Sequence, residues 1–558
     1  MIRKKIVAVL TLVMLILAAV GCSKDQGASG KPSESGGKEN LKPVTFSYYN
    51  AAQAGKDRNT NETVIGKELE KQTGVNFKVE YAVGDINTKI GTMIASGKYP
   101  DLLVPDAALP KILDAGAFID LSDLIDKYAP NIKRVYGPYM NKMKDKDGKI
   151  YFLPMEAYQG YLPNPNIDQG AFWIQRAVLK DAGYPKIKTL DEYFNLIEQY
   201  QKNHPKVDGK STIGFTALTY DWRFFALSNA PNHLAGYPND GGVQVDMKTH
   251  EAKVYGNNED TKRYFKKLNE INNKGLFDKE SFVANYDEYL AKLTSGRVLG
   301  FFDYGWQIGQ ADTNLKNAGV DDKRYMALPI VFDKDTKDQY LDPPNFVSNR
   351  GIGITVSAKD PVRIIKYLDN MLKEDNQKLI LWGIKGQTYD VNDKGRFVRT
   401  QDQINKTADD KFREDFGSKI YEWGWPRGNG LFSDGNAYEP RRQVEVAQLS
   451  YDEGDKKLLN AYGVKVFSDL FAKPDERPWY PAWGIQLEEG SKEQIFTQRQ
   501  TDLEKKYFPK LVLASPSKFD SVWNEYVKQY NALDVKAYEK KMTTEVKKLI
   551  EMSKSNSK

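Results

Sequence analysis

The chain has 558 residues, of which 40% are hydrophobic and 28% charged, an ordinary globular composition with length for two or more core-forming lobes. Its formal net charge of +6 is too small to indicate a nucleic-acid-binding protein. The three histidines, His204, His233 and His250, have no spacing that pairs two of them on one helix face, so we expect surface or loop positions. The chain is rich in aromatic residues, with 33 Tyr, 25 Phe and 9 Trp, which favours recognition by ring stacking over acid–base chemistry.

The N-terminus has the layout of a secretory signal. Residues 3–5 are positively charged, residues 6–20 form an apolar run shorter than the ~20 residues of a bilayer span, and a small-residue cleavage site follows. Cys22, the only cysteine, stands at the cut and resembles the lipidated cysteine of the bacterial lipobox. We predict a signal peptide over residues 1–21, a lipid on Cys22 and a flexible Gly/Ser/Lys-rich tether over residues 22–43. The mature chain would have no free thiol, which excludes disulfides, zinc–thiolate sites and cysteine catalysis.

Strand and helix patterns alternate from Val44 onward, which predicts a parallel α/β sheet. The first predicted elements are strand 44–49, helix 63–72, strand 75–81, helix 88–95 and strand 101–104. Farther on come a capping box at Thr189–Glu192 that begins a helix, strand 298–302, strand 353–356, and an N-cap with proline at the first helical position, Asp360-Pro361.

Several short segments follow one another in a characteristic order. They are Ser96–Leu103, Gly116–Leu121, Asp147–Pro154, Leu179–Tyr184, Thr189–Glu192, Ser295–Arg297 with Phe302–Trp306, Gly353–Leu368 and Gly386–Tyr389. In this order they resemble the bacterial extracellular solute-binding proteins of family 1 type. The nearest resemblance is to the long oligosaccharide-binding lipoproteins of ABC sugar importers, and it covers nearly the whole chain.

The resemblance implies an α/β fold of the two-lobed periplasmic-binding-protein-like kind (type II), with discontinuous lobes joined by a hinge and the cargo in the cleft between them. It assigns residues 44–161 and 347–395 to the N-terminal lobe. Residues 162–346 and 396–558 are assigned to the C-terminal lobe.

Candidate cargo contacts follow from the chemistry of sugars. Pyranose faces stack on flat aromatic rings, and the hydroxyls need planar polar groups. Some candidates follow predicted strands, where ligands of open α/β sheets bind: Glu156 comes after Pro154, and Asp303 after strand 298–302. The candidate ligand-binding residues are Glu156, Trp173, Gln175, Trp222, Arg223, Asp303, Tyr304, Trp306, Arg350, Trp425 and Arg427.

Motifs for metals and catalysis are weak. Some members of the resembled family carry an acidic calcium loop after the helix that here begins at Leu190, but Asn203–Lys210 lacks its regularly spaced oxygen ligands. We therefore predict no metal and no cofactor. The sequence contains no H-E-x-x-H and no G-x-S-x-G motif, and its glycine pattern does not complete a P-loop. Glu156 with Asp303 is the carboxylate pair that a glycosidase would need.

We expect a non-enzymatic, substrate-binding lipoprotein of an ABC transporter, anchored at the outer face of the bacterial cell membrane. It would capture an oligosaccharide and deliver it to the permease subunits, as a monomer that touches the membrane only through its lipid and binds no nucleic acid. The mild positive charge leaves room for uronic-acid sugars, with Arg223, Arg350 or Arg427 as carboxylate partners. Two alternatives stay open, a peptide-binding receptor of the same fold and a secreted polysaccharide-degrading enzyme.

Overall fold

The computed structural model describes residues 42–555. The predicted signal peptide, Cys22 and the tether up to residue 41 lie outside the described residues. Within residues 42–555, no helix combines the length and the apolar character that a membrane crossing requires.

Strands and helices alternate through much of the described chain. The strands are β1 Val44–Asn50, β2 Arg58–Asn59, β3 Val75–Tyr81, β4 Leu102–Val104, β5 Leu153–Pro154, β6 Glu156–Gln159, β7 Gly170–Gln175, β8 Lys206–Val207, β9 Lys210–Ser211, β10 Ile213–Thr216, β11 Val243–Val245, β12 Ala252–Val254, β13 Val298–Tyr304, β14 Tyr325–Leu328, β15 Gly351–Ile354, β16 Asp390–Val391, β17 Phe397–Val398 and β18 Arg427–Gly430. The helices are α1 Val64–Thr73, α2 Ile86–Ser96, α3 Leu109–Asp114, α4 Ser122–Tyr128, α5 Pro130–Tyr136, α6 Arg176–Asp181, α7 Leu190–Asn203, α8 Phe225–Leu234, α9 Glu259–Asn273, α10 Tyr286–Thr294, α11 Gly305–Asn317, α12 Pro361–Met371, α13 Glu374–Leu381, α14 Gln401–Ala408, α15 Asp410–Phe416, α16 Val444–Ser450, α17 Glu453–Tyr462, α18 Lys492–Leu513, α19 Phe519–Asn531 and α20 Val535–Ser555.

The first sheet has the strand order β2-β3-β1-β4-β15-β5. β1 pairs in parallel with β3 and β4, as the alternation of strands and helices predicts. β15 is antiparallel to β4 and β5, so the sheet is mixed rather than wholly parallel. The difference arises because β15 arrives after a long excursion through the second sheet, and no βαβ crossover fixes its direction.

The second sheet has the order β10-β13-β7-β14. β10 and β13 are parallel neighbours, while β7 runs antiparallel to both β13 and β14. The carboxyl ends of β10 and β13 therefore meet at one edge of this sheet.

Buried apolar side chains form two main cores, one on each sheet. The first core takes side chains from residues 46–157, 346–380 and 416–425. The second takes them from residues 167–341 and 458–550. The chain thus passes between the cores three times, and β6 pairs in parallel with β18, which joins the first crossing to the third.

The C-terminal segment contacts both cores. α20 packs on β12 and α18 of the second core. It also packs on the 3₁₀ helix Gly137–Met143, which adjoins the first core. α20 therefore spans from one lobe to the other.

The local signals of the sequence are confirmed where they concern helix ends. Thr189 and Glu192 form the predicted capping box at the start of α7. Asp360 caps α12 by accepting a hydrogen bond from the Arg363 backbone N–H, with proline in the first turn.

Some expectations differ from the structure. His233 was expected on the surface or in a loop, but it lies within α8 and is buried. β13 extends to Tyr304, two residues beyond the predicted strand 298–302, because Asp303 and Tyr304 continue the pairing with β7. The segment around residues 416–425 was assigned to the C-terminal lobe, yet Phe416, Ile420 and Trp425 are buried in the first core. Its apolar side chains are covered by the first sheet, and so this segment packs with that lobe.

Candidate functional site

Two exposed tryptophans lie at the edge where β10 and β13 end. Trp222 belongs to the single-turn helix that follows β10, and Trp306 lies in the first turn of α11, directly after β13. Since β10 and β13 are parallel neighbours, both side chains lie beyond the same edge of the second sheet. Ligands of open α/β sheets bind at such an edge.

Trp222, Phe225 and Trp306 form a surface that we call the aromatic platform. The indole rings of Trp222 and Trp306 are 5.9 Å apart between centroids, with planes 8° from parallel. The ring of Phe225 lies 6.1 Å from Trp222 at 5° and 6.4 Å from Trp306 at 12°. Trp222 is 55% exposed and Trp306 50% exposed, so the platform presents flat apolar area to solvent.

Arg223 places a positive charge beside the aromatic platform. Its guanidinium carbon lies 4.6 Å from the centroid of Trp222 and 4.1 Å from that of Tyr286. Its buried Nε finds no acceptor in the part of the chain that the structure describes. The preceding residue, Asp221, has φ +54°, a left-handed conformation that costs energy in a non-glycine residue and is common at functional sites. The site therefore combines stacking rings with a planar donor.

A tight backbone contact fixes the position of Trp306. A Cβ on Gly305 would lie 2.0 Å from the carbonyl oxygen of Ile167, so only glycine fits there. The Gly305 N–H donates to the carbonyl of Gln169 at 3.1 Å, and the Trp306 N–H donates to that of Asp168 at 3.3 Å. The start of α11 is thereby bound to the segment that immediately precedes β7.

Asp303 supports the platform from inside the sheet. It is fully buried, and its carboxylate accepts hydrogen bonds from the Tyr289 hydroxyl at 2.8 Å and the Gln307 amide at 2.7 Å. Burial raises the pKa of Asp303 to about 7, against the lowering effect of these hydrogen bonds. The prediction placed Asp303 after the strand, but it lies within β13 and has no surface for a ligand, so we withdraw it as a cargo contact.

Trp173, Gln175 and Tyr304 are also occupied within the protein. The Trp173 indole N–H donates to the carbonyl of Asp303 at 2.9 Å. Gln175 is buried and donates to the carbonyls of Gly296 and Val298. Tyr304 is buried under the platform, with its ring 4.9 Å from that of Phe225. These side chains position the second sheet and the platform rather than reach outward.

A group of charged side chains lies where β6 and β18 cross between the lobes, and we call it the crossing cluster. It consists of Glu156, Asp168, Arg427, Glu439 and Arg441. Arg427 donates from Nε to Glu156 at 2.7 Å and pairs with Glu439 at 3.1 Å. Arg441 pairs with Glu439 at 2.7 Å and with Asp168 at 2.9 Å. Burial would raise the pKa of Glu439, but the surrounding arginines outweigh it and hold that pKa at about 2.

The crossing cluster leads from the platform to a cavity. Asp168 accepts the Trp306 N–H and pairs with Arg441, and Arg441 lines a cavity of about 520 Å³. Trp423 also lines this cavity, with the guanidinium carbon of Arg427 5.0 Å from its ring centroid. The cavity and the platform are thus linked through one residue.

The two tryptophans of the loop Trp423-Gly424-Trp425 lie in different environments. Trp425 is buried in the first core, where its ring is 4.7 Å from that of Tyr48 and its indole N–H donates to Ile420. Trp423 is half-buried and lines the cavity. On this loop, Trp423 is therefore the candidate for cargo binding, and Trp425 is not.

Arg350 lies apart from the aromatic platform, at the carboxyl end of the first sheet. It pairs with Asp106 at 3.2 Å, and its side chain is about half exposed. Asp106 follows β4 directly and has φ +49°. Arg350 is thus a half-exposed side chain of the first lobe whose charge is partly balanced by Asp106.

Several residues of the site were missed by sequence reasoning. Phe225 stands two positions after the Trp222-Arg223 motif, a proximity that was a usable signal. Tyr286 and Arg441 contact the site from distant segments, and nothing in the local sequence indicates this.

The segment Asn203–Lys210, where some family members carry a calcium loop, includes a short hairpin turn. β8 and β9 pair across Asp208 and Gly209, both with positive φ, as a two-residue hairpin turn requires. Among residues 42–555 no group of three or more His, Cys, Asp or Glu side chains is placed to hold a metal ion.

Comparison with known proteins gives the family. The family model for bacterial extracellular solute-binding proteins matches residues 65–393, more than half of the chain. The chain belongs to this family. The solved structure of the Streptococcus pneumoniae ABC-transporter substrate-binding protein FusA in complex with kestose aligns with 91% of this chain and 99% of its own, at a TM-score of 0.65 and 19% identity. This solute-binding protein therefore has the two-lobed α/β fold of the periplasmic binding proteins, and the fold predicted from the sequence is confirmed.

Two curated relatives are similar in sequence. The fructooligosaccharide ABC transporter substrate-binding protein FusA of Streptococcus pneumoniae is 29% identical over 307 residues, covering 52% of this chain and 55% of that protein. The polygalacturonan/rhamnogalacturonan-binding protein YtcQ of Bacillus subtilis is 24% identical over 420 residues, covering 70% of this chain and 76% of that protein. The alignment with FusA thus spans little more than half of that relative's length.

Proposed function

We propose that this protein captures an oligosaccharide in the cleft between its lobes and delivers it to the permease of an ABC importer. The observation that carries the proposal is the aromatic platform, two half-exposed and nearly parallel indole rings with Arg223 beside them. Flat rings take the apolar face of a sugar, and a guanidinium binds hydroxyl or carboxylate oxygens. The names of the relatives, a fructooligosaccharide ABC transporter substrate-binding protein and a polygalacturonan/rhamnogalacturonan-binding protein, support this cargo class.

The surroundings of Asp303 and Glu156 favour binding of the cargo without cleavage. Asp303 is buried among Tyr289 and Gln307, and Glu156 is bound by Arg427 and Asn429. A glycosidase needs two carboxyl groups that both face the scissile bond. Asp303 instead stabilises the packing of the second sheet, and Glu156 pairs with Arg427 where the chain passes between the lobes. This arrangement supports a receptor rather than a glycosidase.

The delivery route follows from the N-terminus. Cleavage before Cys22 and lipidation of its thiol would anchor the protein at the outer face of the cell membrane, with residues 23–43 as a tether. Closure of the lobes over the cargo would present one surface formed by both lobes to the permease. A monomer suffices for this role.

Acidic sugars are a finer proposal within the same function. Of the three arginines considered as carboxylate partners, Arg427 pairs with Glu156 and Glu439, and Arg350 pairs with Asp106. Arg223 forms no ion pair with any described residue and lies on the platform. We therefore favour Arg223 for an acidic or hydroxyl group stacked there.

The test uses protein lacking residues 1–22. Titration with neutral oligosaccharides, uronic-acid oligosaccharides and peptides is followed by tryptophan fluorescence and calorimetry, and the mixtures are analysed chromatographically for products. We expect saturable binding of one glycan class, with a fluorescence change and no new products. If only peptides bind, the proposed cargo is wrong and the protein is a peptide receptor. If a glycan is cleaved, the protein is an enzyme rather than a receptor.

A further inference from the structure

The cavity beside the crossing cluster contains an arginine whose charge is not balanced. Arg399 lines the cavity together with Trp382 and Trp423. Its Nη1 donates to the Thr407 hydroxyl at 3.1 Å, and its Nη2 donates to the carbonyl of Trp382 at 3.5 Å. Both acceptors are neutral, and its buried Nε has no acceptor among residues 42–555.

The other charges at the cavity wall are paired. Glu439 is shared by Arg427 and Arg441, at 3.1 Å and 2.7 Å. Glu422 is bound by Arg413 at 2.7 Å. Arg399 forms no ion pair with any described residue. The two carboxylates at the cavity wall are paired with other arginines and do not balance its charge.

Arg399 keeps its charge at neutral pH despite its surroundings. Burial lowers the pKa of its guanidinium to about 10, which still leaves it protonated. A half-buried cation with an unused donor is costly unless an anion completes it. The planar fork of a guanidinium matches the two oxygens of a carboxylate.

The shape and the lining of the cavity suit a sugar ring. Its volume of about 520 Å³ is in the usual range for small-ligand sites. Trp423 offers an indole at the wall and Ser418 a hydroxyl, whereas the hydroxyls of Thr388 and Thr407 donate to backbone carbonyls. Asp168 accepts the backbone N–H of Trp306 with its carbonyl and pairs with Arg441 of the cavity wall through its carboxylate.

We infer that the cavity is a subsite for an acidic sugar residue of the cargo, with Arg399 as the partner of its carboxylate and Trp423 as its stacking surface. The inference rests on the proposed function, because it names one end of the same binding site. It makes the cargo an oligosaccharide that contains a uronic acid.

The experiment compares one glycan in two charge states. Tetragalacturonate and its methyl ester have the same backbone, but only the acid carries carboxylates. Calorimetry measures both, at 50 mM and 300 mM salt, with wild-type protein lacking residues 1–22 and with Arg399→Gln, Arg399→Lys and Arg263→Gln. Arg263 is a matched control, since it pairs with Asp333 on the second lobe, away from the cavity.

We expect the wild type to bind the acid at least tenfold more tightly than the ester. Arg399→Gln should lose this preference, with a ten- to hundredfold loss for the acid and less than twofold for the ester. Arg399→Lys should keep part of the preference and Arg263→Gln all of it. Thermal midpoints of the variants verify folding, and inorganic sulfate serves as a competitor in the wild type.

Three outcomes overturn the inference. They are equal affinity of the wild type for acid and ester, an equal loss of both in Arg399→Gln, or sulfate alone binding as tightly as the oligomer. In the first two cases, bound neutral glycan still supports the receptor function. A wild type that binds neither acidic nor neutral oligosaccharides contradicts the proposed function itself, so the two failures are distinguishable.

Discussion

The indole planes of Trp222 and Trp306 lie 8° from parallel, although 84 positions separate the two residues in the sequence. The alignment arises because each tryptophan follows one of two parallel, neighbouring strands. Its consequence is a pair of half-exposed, similarly oriented rings at one edge of the second sheet.

Replacing either ring should weaken oligosaccharide binding. We expect Trp222→Ala and Trp306→Ala each to lower the affinity about tenfold, because each removes stacking worth on the order of 1 kcal/mol. The double variant should lose less than the product of the two, since the rings share one surface. Calorimetric titration measures this. Tyr128→Ala, which removes an exposed ring on α4 of the other lobe, is the control. Unchanged affinity in both tryptophan variants would show that the aromatic platform does not bind the cargo.

The two tryptophans of the 423–425 loop should separate stability from binding. Trp425→Ala should lower the free energy of unfolding by about 3–5 kcal/mol, because it opens a cavity among Tyr48 and Phe77 in the first core. Trp423→Ala should cost about 1 kcal/mol or less and weaken cargo binding instead. Urea unfolding and calorimetry measure the two effects. If Trp425→Ala weakens cargo binding and Trp423→Ala lowers stability, Trp425 is the binding residue of this loop.

The crossing cluster should be a stability element. Arg427→Met leaves Glu156 without its cationic partner, with only the Asn429 amide still bound, and weakens the pairing of Glu439. We therefore expect a loss of about 2–3 kcal/mol in urea unfolding. Arg413→Met is a matched control, since its partner Glu422 is largely exposed, and it should cost less than about 1 kcal/mol. Equal losses in the two variants would show that burial of the cluster has no special effect.

Glu504 should make the protein less stable at alkaline pH. It is buried in α18, where burial raises the pKa of its carboxyl from 4.5 to about 7 against the lowering effect of the Gln500 amide. Folding therefore favours the protonated form: stability is unaffected below about pH 4.5, falls from there to pH 7, and stays lowered above. Glu504→Gln should raise the free energy of unfolding at pH 8 by on the order of 3 kcal/mol and change it little at pH 4.5.

The measurement for Glu504 is a pair of urea titrations at the two pH values. Asp502→Asn, an exposed acid on the same helix, serves as its control and should give the same change at both. A Glu504→Gln variant with no gain at pH 8 would mean that the carboxylate is solvated in the folded protein.

Local signals predicted local structure well. The capping box at Thr189 and the N-cap at Asp360 depend on residues within one helical turn, and both formed as expected. Trp222 and Trp306, both candidate cargo contacts, are exposed; the strand before Trp306 was predicted, whereas β10 before Trp222 was not.

Burial of polar and aromatic candidates was harder to predict. Asp303, Gln175 and Trp425 look like ligand-binding residues by type, but tertiary packing encloses all three. The partner of Arg427, Glu156, stands 271 positions earlier, and Arg441 reaches Asp168 over 273. Such pairings are set by the way the chain crosses between lobes, which no local pattern reports.

Three stretches of chain join the two lobes, and they also limit how the lobes can move. Sliding one lobe sideways over the other would stretch all three stretches at once and break the ladder between β6 and β18. Swinging about a line through them changes only a few backbone dihedrals. We therefore expect lobe closure in the proposed function to be a swing about a single axis, in which the mouth of the cleft opens more than its floor.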